Sequence, residues 1–315
     1  MFLGVVSFNT HSDYTKNPLA VAFIDDMVSS HQFSKSDLIS LFSQANKQQK
    51  IIDAISRPAE KTLTWAQYRN IFLKPERIEK GAKFWQKHRA TLEKAQQDFG
   101  VDVEVIVAIL GVETRYGEVQ GSYRVIDALS TLGFDYPPRA AFFRKELENF
   151  LLLAREQKQD PVSLTGSYAG AMGYGQFIPS SYRAYAVDYD QDGFADIWNN
   201  PVDAIGSIAN YFKQHHWSTG EAVLVPAKYT GVDLNSLDTN KLKLEKTIST
   251  LSASNFVPNQ TVDSDQQAIP LALEGDEGME YYLGLKNFYV ITRYNHSHLY
   301  AMAVYQLSQA IKQQM

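Results

Sequence analysis

A chain of 315 residues is long enough to bury a large core, and its formal net charge of −5 is weakly acidic. This balance excludes a general attraction to nucleic acids or anionic membranes, so any anionic ligand must be held by local arginines. The sequence contains no cysteine, which excludes disulfides, thiolate metal sites and cysteine nucleophiles.

The chain begins with a short apolar stretch, MFLGVVSFN, which lacks basic residues and a small-residue cleavage site. We interpret it as the remnant of a trimmed export signal or as a buried N-terminal arm. No apolar stretch approaches the roughly 20 residues that span a bilayer. We therefore expect a soluble protein with no transmembrane segment.

Apolar side chains at helical spacing predict helices along most of the chain, in the segments 34–45, 83–100, 139–157, 204–215 and 297–314. Gly100 is a plausible C-cap of the second of these helices. Between residues 226 and 290 polar residues dominate, and the runs IPLALEG, MEYYLGL and NFYVITRY predict short strands. The pattern indicates a mainly helical protein with a small β subdomain inserted late.

A glutamate follows the apolar segment VIVAILGV, residues 105–112. Four residues share the i, i+3, i+4, i+7 spacing of one helix face: Ile106, Ile109, Leu110 and Glu113. Burial there favours a protonated carboxyl group, which suits a general acid acting on a glycosidic oxygen. The alternative is a helix-terminal ion pair with Arg115 or Arg124, and periodicity alone favours that alternative.

A glycine-rich stretch, GSYAGAMGYGQFIPSSY, covers residues 166–182. It is not a phosphate loop, because no lysine follows its last glycine. Hydroxyl, amide and aromatic side chains interleave with the glycines: Ser167, Tyr168, Tyr174, Gln176 and Tyr182. Such groups bind sugars by hydrogen bonding and stacking, although a flexible connector would also account for the glycines.

The segment DYDQDGFAD, residues 188–196, matches the first half of a calcium-binding loop. Asp188, Asp190 and Asp192 occupy positions 1, 3 and 5, and Gly193 occupies position 6. Phe194 would offer its carbonyl and Asp196 would act through water, whereas position 12 is Asn199 instead of glutamate. The alternative is a solvated acidic turn.

Five motifs in the same order resemble the lytic murein transglycosylase B family: GVETRYG, ALSTLGFDYPPRAAFFRKELENFLLLAR, GSYAGAMGYGQFIPSSY, DIWNNPVDAIGSIANYF and NFYVITRYNHS. The resemblance extends from about residue 65 to the C-terminus. It implies a mainly α fold with a goose-lysozyme-like catalytic core. The implied parts are a helical domain at 1–95, the core at 96–225, a β subdomain at 226–290 and a returning segment at 291–315.

The same resemblance implies cleavage of the β-1,4 bond between N-acetylmuramic acid and N-acetylglucosamine, with a 1,6-anhydro product. Glu113 would be the single general acid and base, assisted by the substrate N-acetyl group. Other residues match family positions at or near the sugar sites: Ser167, Met172, Gln176, Tyr211, Tyr294, Asn295, Tyr300 and Tyr68. Met172 would pack against Glu113, and Tyr68 would belong to the cleft wall.

Two further implications concern charge. The family often has two adjacent arginines after a Tyr-Pro pair, whereas this chain has Pro138 and then Arg139, so one cation of the peptide-stem site is missing. Asp203 would supply a late carboxylate to a structural Ca²⁺, and catalysis would need no cofactor.

The implied partner is the peptidoglycan glycan strand, and the implied location of the protein is the periplasm. We expect a monomer without nucleic-acid partners and regard other cell-wall enzymes as candidate partners. Two alternatives stay open, a water-using muramidase and a non-catalytic wall-binding protein of the same fold.

Overall fold

The structure, a computed structural model, describes residues 14–56 and 63–315; the stretch MFLGVVSFN lies outside them. The α-helices of the described part are α1 (Pro18–His31), α2 (Lys35–Ser43), α3 (Gln49–Ile55), α4 (Trp65–Phe72), α5 (Pro75–Lys87), α6 (Arg89–Phe99), α7 (Val103–Thr114), α8 (Val125–Asp135), α9 (Ala140–Glu156), α10 (Pro179–Tyr185), α11 (Pro201–Gln214), α12 (Ile248–Ala253), α13 (Lys286–Tyr294) and α14 (His298–Lys312). None of these helices is both long and apolar enough to cross a membrane.

The strands form two small antiparallel sheets. They are β1 (Tyr123–Arg124), β2 (Thr165–Gly166), β3 (Leu224–Tyr229), β4 (Lys246–Thr247), β5 (Phe256–Pro258), β6 (Gln267–Gly275) and β7 (Gly278–Gly284). The first two strands pair with each other, and the rest form one sheet in the order β4-β6-β7-β3-β5. The predicted fold class, mainly helical with a late β insertion, is confirmed.

The chain divides into two compact units. Of the described residues, the first contains 14–56 together with 120–184, and the second contains 63–119 and 185–315. The four-part division expected from the sequence stays a prediction.

The first unit is built on α8 and α9, which pack against each other. Aromatic rings fill the space between α8 and the N-terminal helices: Phe134 lies 5.4 Å from Tyr14 and 5.9 Å from Phe23, measured between ring centroids. At the start of α1, the Asn17 side chain accepts a hydrogen bond from the Leu19 backbone amide and Pro18 occupies the first turn, which is the usual chemistry of a helix beginning.

The second unit is organised around α7, which is buried on every side from Val103 to Gly111. Helices α14, α5, α6 and α11 pack around it. Between Glu104 and Glu113 the helix carries only apolar side chains and one glycine, and burial decreases at the last turn, where Glu113 lies. The core of the helical body therefore leads directly to Glu113.

Two predicted elements are corrected. Residues 83–100 form two helices, because His88 leaves the helical conformation with φ −110° and ψ 22°. The break lets α5 pack on α7 and α14 while α6 packs on α7 and α11. The predicted C-cap is confirmed, since Gly100 has φ 76° and its amide donates to the Gln96 carbonyl.

The run NFYVITRY is helical and not a strand, because it forms most of α13. Its β-branched and aromatic residues favour strands by propensity, but Phe288 and Ile291 lie on one helical face and are fully buried. Packing of α13 against α14, β6 and β7 outweighs local preference. The other two runs, IPLALEG and MEYYLGL, lie in β6 and β7 as predicted.

Candidate functional site

Glu113 is the penultimate residue of α7 and is half-buried. The helix ends directly after it, because Arg115 and Tyr116 both adopt left-handed backbone conformations, with φ 52° and 63°. The Thr114 hydroxyl supports this turn by accepting a hydrogen bond from the Gly117 amide at 3.0 Å. Glu113 is thus held by a rigid buried helix on one side and a tight turn on the other.

Tyr300 contacts Glu113 directly. Its hydroxyl, carried by the first turn of α14, donates to Glu113 Oε1 at 2.6 Å. Burial, followed by the negative charge of Glu113, raises the pKa of Tyr300 well above its usual range. The phenol therefore stays protonated and donates its hydrogen bond throughout the neutral range.

Tyr294 and Tyr211 form an aromatic group next to this pair. Tyr294 ends α13, and its ring lies 4.8 Å from that of Tyr211. Burial and then the charge of Glu113 raise the pKa of Tyr294, so the carboxyl group acts on Tyr294 as well as on Tyr300. The Tyr211 hydroxyl donates to the Arg293 carbonyl at 2.6 Å, which joins α11 to α13.

Asn295 and Tyr68 complete the predicted residues of the second unit. Asn295 leaves α13 in an extended conformation, and its carbonyl accepts from the Ser297 amide at 2.7 Å. Ser297 in turn caps α14 by accepting from the Tyr300 amide. Tyr68 is buried in α4, and its phenol is one of the groups that raise the pKa of Tyr300.

The ion-pair alternative for Glu113 is not formed by Arg115. Within residues 14–56 and 63–315, Arg115 makes no salt bridge, and it lines a cavity together with Glu76. Arg124 belongs to the first unit, where its guanidinium donates to both carboxylate oxygens of Asp127, at 2.9 and 2.7 Å.

In the first unit, the glycine-rich stretch is a hydrogen-bonded loop. Ser167 Oγ accepts from the amides of Ala169 and Ala171, at 3.2 and 3.1 Å. Gln176 has a left-handed backbone, and its amide donates to the Gln120 and Gly173 carbonyls. These bonds fix the loop's shape, which a purely flexible connector would not need.

Two other predicted residues of this unit differ in exposure. Met172 is fully buried, and its backbone pairs with Phe177 in both directions. Arg139 is exposed at the end of a short 3₁₀ turn, with its guanidinium 4.4 Å from the Phe142 ring centroid. The packing of Met172 against Glu113 and the role of Arg139 at a peptide stem stay predictions.

The acidic loop brings three carboxylates together. Oxygen atoms of Asp188, Asp190 and Asp203 all lie within 4.8 Å of one another. Asp203 is fully buried and accepts from the amides of Tyr189 and Asp196, at 2.7 and 2.8 Å. Burial raises the pKa of Asp203, because desolvation disfavours the charged carboxylate.

Asp192 is not part of this three-carboxylate cluster. Its Oδ1 accepts from the Phe194 amide at 3.0 Å, while its own amide donates to Asp188. The carboxylate of Asp196 accepts the amides that follow it, including that of Asn199 at 2.9 Å. Loop spacing predicted Asp192 as a direct ligand, and only the resemblance indicated Asp203, which lies on α11.

Known proteins resemble this chain over nearly its full length. The family model described as Transglycosylase SLT domain matches residues 15–309. Membrane-bound lytic murein transglycosylase B of Escherichia coli (strain K12) is 46% identical over 308 residues, covering 95% of this chain and 84% of that protein.

Two crystal structures extend the comparison to the fold. The soluble lytic transglycosylase SltB1 from Pseudomonas aeruginosa is 52% identical with a TM-score of 0.89, covering 94% of this chain and 99% of the other. The Escherichia coli lytic transglycosylase Slt35, solved in complex with calcium, is 46% identical with a TM-score of 0.89, covering 96% and 95%.

Proposed function

We propose, since the chain belongs to the transglycosylase SLT domain family, that it is a lytic transglycosylase of peptidoglycan. It cleaves the β-1,4 bond between N-acetylmuramic acid and N-acetylglucosamine. The observation that carries this proposal is the 2.6 Å hydrogen bond from Tyr300 to Glu113 at the end of the buried helix α7. That bond supports a single oriented carboxyl group as the acid and base.

Glu113 performs two proton transfers. It first donates its proton to the glycosidic oxygen as the bond from that oxygen to C1 breaks. The resulting carboxylate then removes the proton of the C6 hydroxyl of the same muramoyl residue while O6 bonds to C1. The product is a 1,6-anhydro sugar, no water is consumed, and Glu113 ends protonated. An intramolecular nucleophile has a high effective molarity, which removes the need for a second carboxylate.

The tyrosines support this chemistry through position and charge. Tyr300 orients the carboxyl group, and its raised pKa keeps it a donor during both proton transfers. Tyr294 and Tyr211 present aromatic and hydroxyl groups suited to a sugar ring. We assign Tyr68 and Asn295 to the same substrate-binding group of the second unit.

Four residues of the first unit are proposed substrate ligands or supports: Ser167, Met172, Gln176 and Arg139. The hydrogen-bonded loop around Ser167 and Gln176 supports a preorganised binding segment. The exposed guanidinium of Arg139 suits a carboxylate of the peptide stem.

We also propose a structural Ca²⁺ at the acidic loop. Asp188, Asp190 and Asp203, with the Phe194 carbonyl, offer only oxygen atoms, which is the donor set that calcium prefers. The buried carboxylate of Asp203 supports a cation there, and the relative Slt35 was solved with calcium. Bound calcium would fix the loop to α11 and take no part in the proton transfers.

The proposed substrate indicates the cellular compartment. A peptidoglycan-cleaving enzyme of this family works in the periplasm, on the glycan strands of the wall. We propose that it does so as a monomer, with other cell-wall enzymes as candidate partners.

The products of digestion test the proposed reaction. Purified sacculi are incubated with the wild type, with Glu113→Gln and with Glu93→Gln, a control at an exposed glutamate of α6. We expect 1,6-anhydromuropeptides from the wild type and the control, and none from Glu113→Gln. Release of reducing-end muramic acid instead would identify a muramidase, and the absence of any product from the wild type would favour a wall-binding protein.

A further inference from the structure

The cavity that Arg115 lines lies in the second unit, between the beginning of α5 and the turn that ends α7. Its volume is about 130 Å³, and its lining residues are Lys74, Glu76, Arg77, Lys80, Arg115 and Tyr116. Four of the six are cations, on a chain whose overall charge is negative. None of these residues takes part in the proposed proton transfers.

Arg77 is the unusual member of this cavity. Its side chain belongs to a residue only 9% exposed, and its Nη1 has no hydrogen-bond partner among the described residues. One face of the guanidinium lies 5.1 Å from the Phe72 ring centroid. Burial, and then repulsion by Arg115, lower the pKa of Arg77. A buried guanidinium with an unsatisfied N–H group is costly.

The nearby carboxylates do not balance these charges. Lys80 engages both of them, with its ammonium 3.0 Å from Glu76 and 2.8 Å from Glu118. In the part of the chain that the structure describes, Lys74, Arg77 and Arg115 form no salt bridge. Three cations therefore remain around the cavity without a salt bridge, and Glu76 acts on them only at longer range.

Tyr116 connects the turn after α7 to helix α5. Its hydroxyl donates to the Arg77 carbonyl at 2.8 Å. Its ring lies against Gly81 of α5 and Gly111 of α7, where a Cβ atom on either glycine would come within 2.6 Å of the phenol oxygen. Left-handed backbone at Arg115 and Tyr116 completes the turn, and such strained conformations often occur at ligand sites.

We propose that this cavity is a binding site for an oxyanion, a carboxylate or phosphate group of a small molecule or chain end. Guanidinium groups bind both anions by paired, charge-assisted hydrogen bonds, and two guanidiniums face this cavity. A volume of about 130 Å³ is several times the space that one water molecule needs, so the cavity admits an oxyanion. The inference does not depend on the reaction catalysed at Glu113.

Nuclear magnetic resonance of the arginine Nε–Hε groups tests this site directly on the full chain. The protein is titrated at constant ionic strength with three probes: inorganic phosphate, N-acetyl-alanyl-alanine and the C-terminal amide of that dipeptide. We expect saturable shifts of the Arg77 and Arg115 signals with phosphate, with the dipeptide acid, or with both, and none with the amide. Preference between the first two probes identifies the source of the anion.

Matched substitutions localise the binding. Arg77→Gln removes the buried cation, and Arg115→Gln removes an exposed one whose loss should leave the fold intact. Arg89→Gln is the control, because Arg89 is an exposed cation of α6 outside the cavity. We expect Arg115→Gln to weaken binding about tenfold, since hydrogen bonds to charged groups are of that strength. Equal weakening by Arg89→Gln, or no saturable shift with either anion at tens of millimolar, would overturn the proposal.

Discussion

Replacing Tyr300 by phenylalanine separates orientation of the catalytic carboxyl group from its mere presence. The change removes one oxygen, the donor that lies 2.6 Å from Glu113 Oε1, and keeps the buried ring. A hydrogen bond to a charged group contributes about 1.5–3 kcal/mol. If that contribution is needed in the transition state, kcat falls roughly ten- to hundredfold.

The assay is the initial rate of anhydromuropeptide release from sacculi, measured with the melting temperature of the same preparations. Tyr305→Phe is the matched control, because Tyr305 is a half-buried tyrosine of the same helix α14 outside the candidate site. We expect the control to keep wild-type rates. A Tyr300→Phe variant that melts like the wild type and retains full kcat would refute the proposed role of this bond.

Two further predictions concern stability. Calcium added to chelator-treated protein should raise the melting temperature, by the equivalent of about 2.7 kcal/mol at a hundredfold excess over Kd. Asp190→Asn should abolish this rise and Asp192→Asn should reduce it less, since only Asp190 belongs to the three-carboxylate cluster; equal effects would contradict this ligand assignment. Burial raises the folded-state pKa of Glu146 above its ordinary value of 4.5. At pH values between the pKa of the unfolded chain and that of the folded protein, folding therefore takes up a proton. The wild type should therefore lose stability relative to Glu146→Gln as pH rises through that window, which denaturant unfolding at several pH values would detect; a difference independent of pH would contradict this.

The local spacing of apolar residues was sufficient to predict the helices, but it could not predict which residues contact one another at the site. The periodicity of residues 139–157 predicts α9 almost to the residue, because one helix face packs on a neighbour. The partner of Glu113 is 187 residues away in the chain, and no spacing rule connects Glu113 with Tyr300. The resemblance to a family indicated both residues, whereas periodicity favoured an ion pair with Arg115 or Arg124. Arg115 forms no salt bridge among the described residues, and Arg124 pairs with Asp127.

The acidic loop and α13 show the same limit. Spacing within the loop predicted Asp192 as a ligand, which stays a prediction, but it could not indicate that the third carboxylate of the cluster comes from Asp203 on α11. The strand predicted at NFYVITRY was wrong because packing against three neighbouring elements decides its conformation. Both features depend on tertiary contacts, which a local window does not contain.

Tyr116 makes three positions on the two helices α5 and α7 dependent on one another. Gly81 and Gly111 must lack a side chain for its ring to fit, and the Arg77 carbonyl accepts a hydrogen bond from its hydroxyl. In evolution, Gly111 cannot be exchanged for alanine before the tyrosine has become smaller, and at Gly81 the Ile311 side chain must move as well. A smaller residue at position 116 also removes the side-chain donor of the Arg77 carbonyl. Related enzymes should therefore retain these residues as a set or replace them as a set, and a survey of their covariation would reveal this dependence even where the overall sequences have diverged.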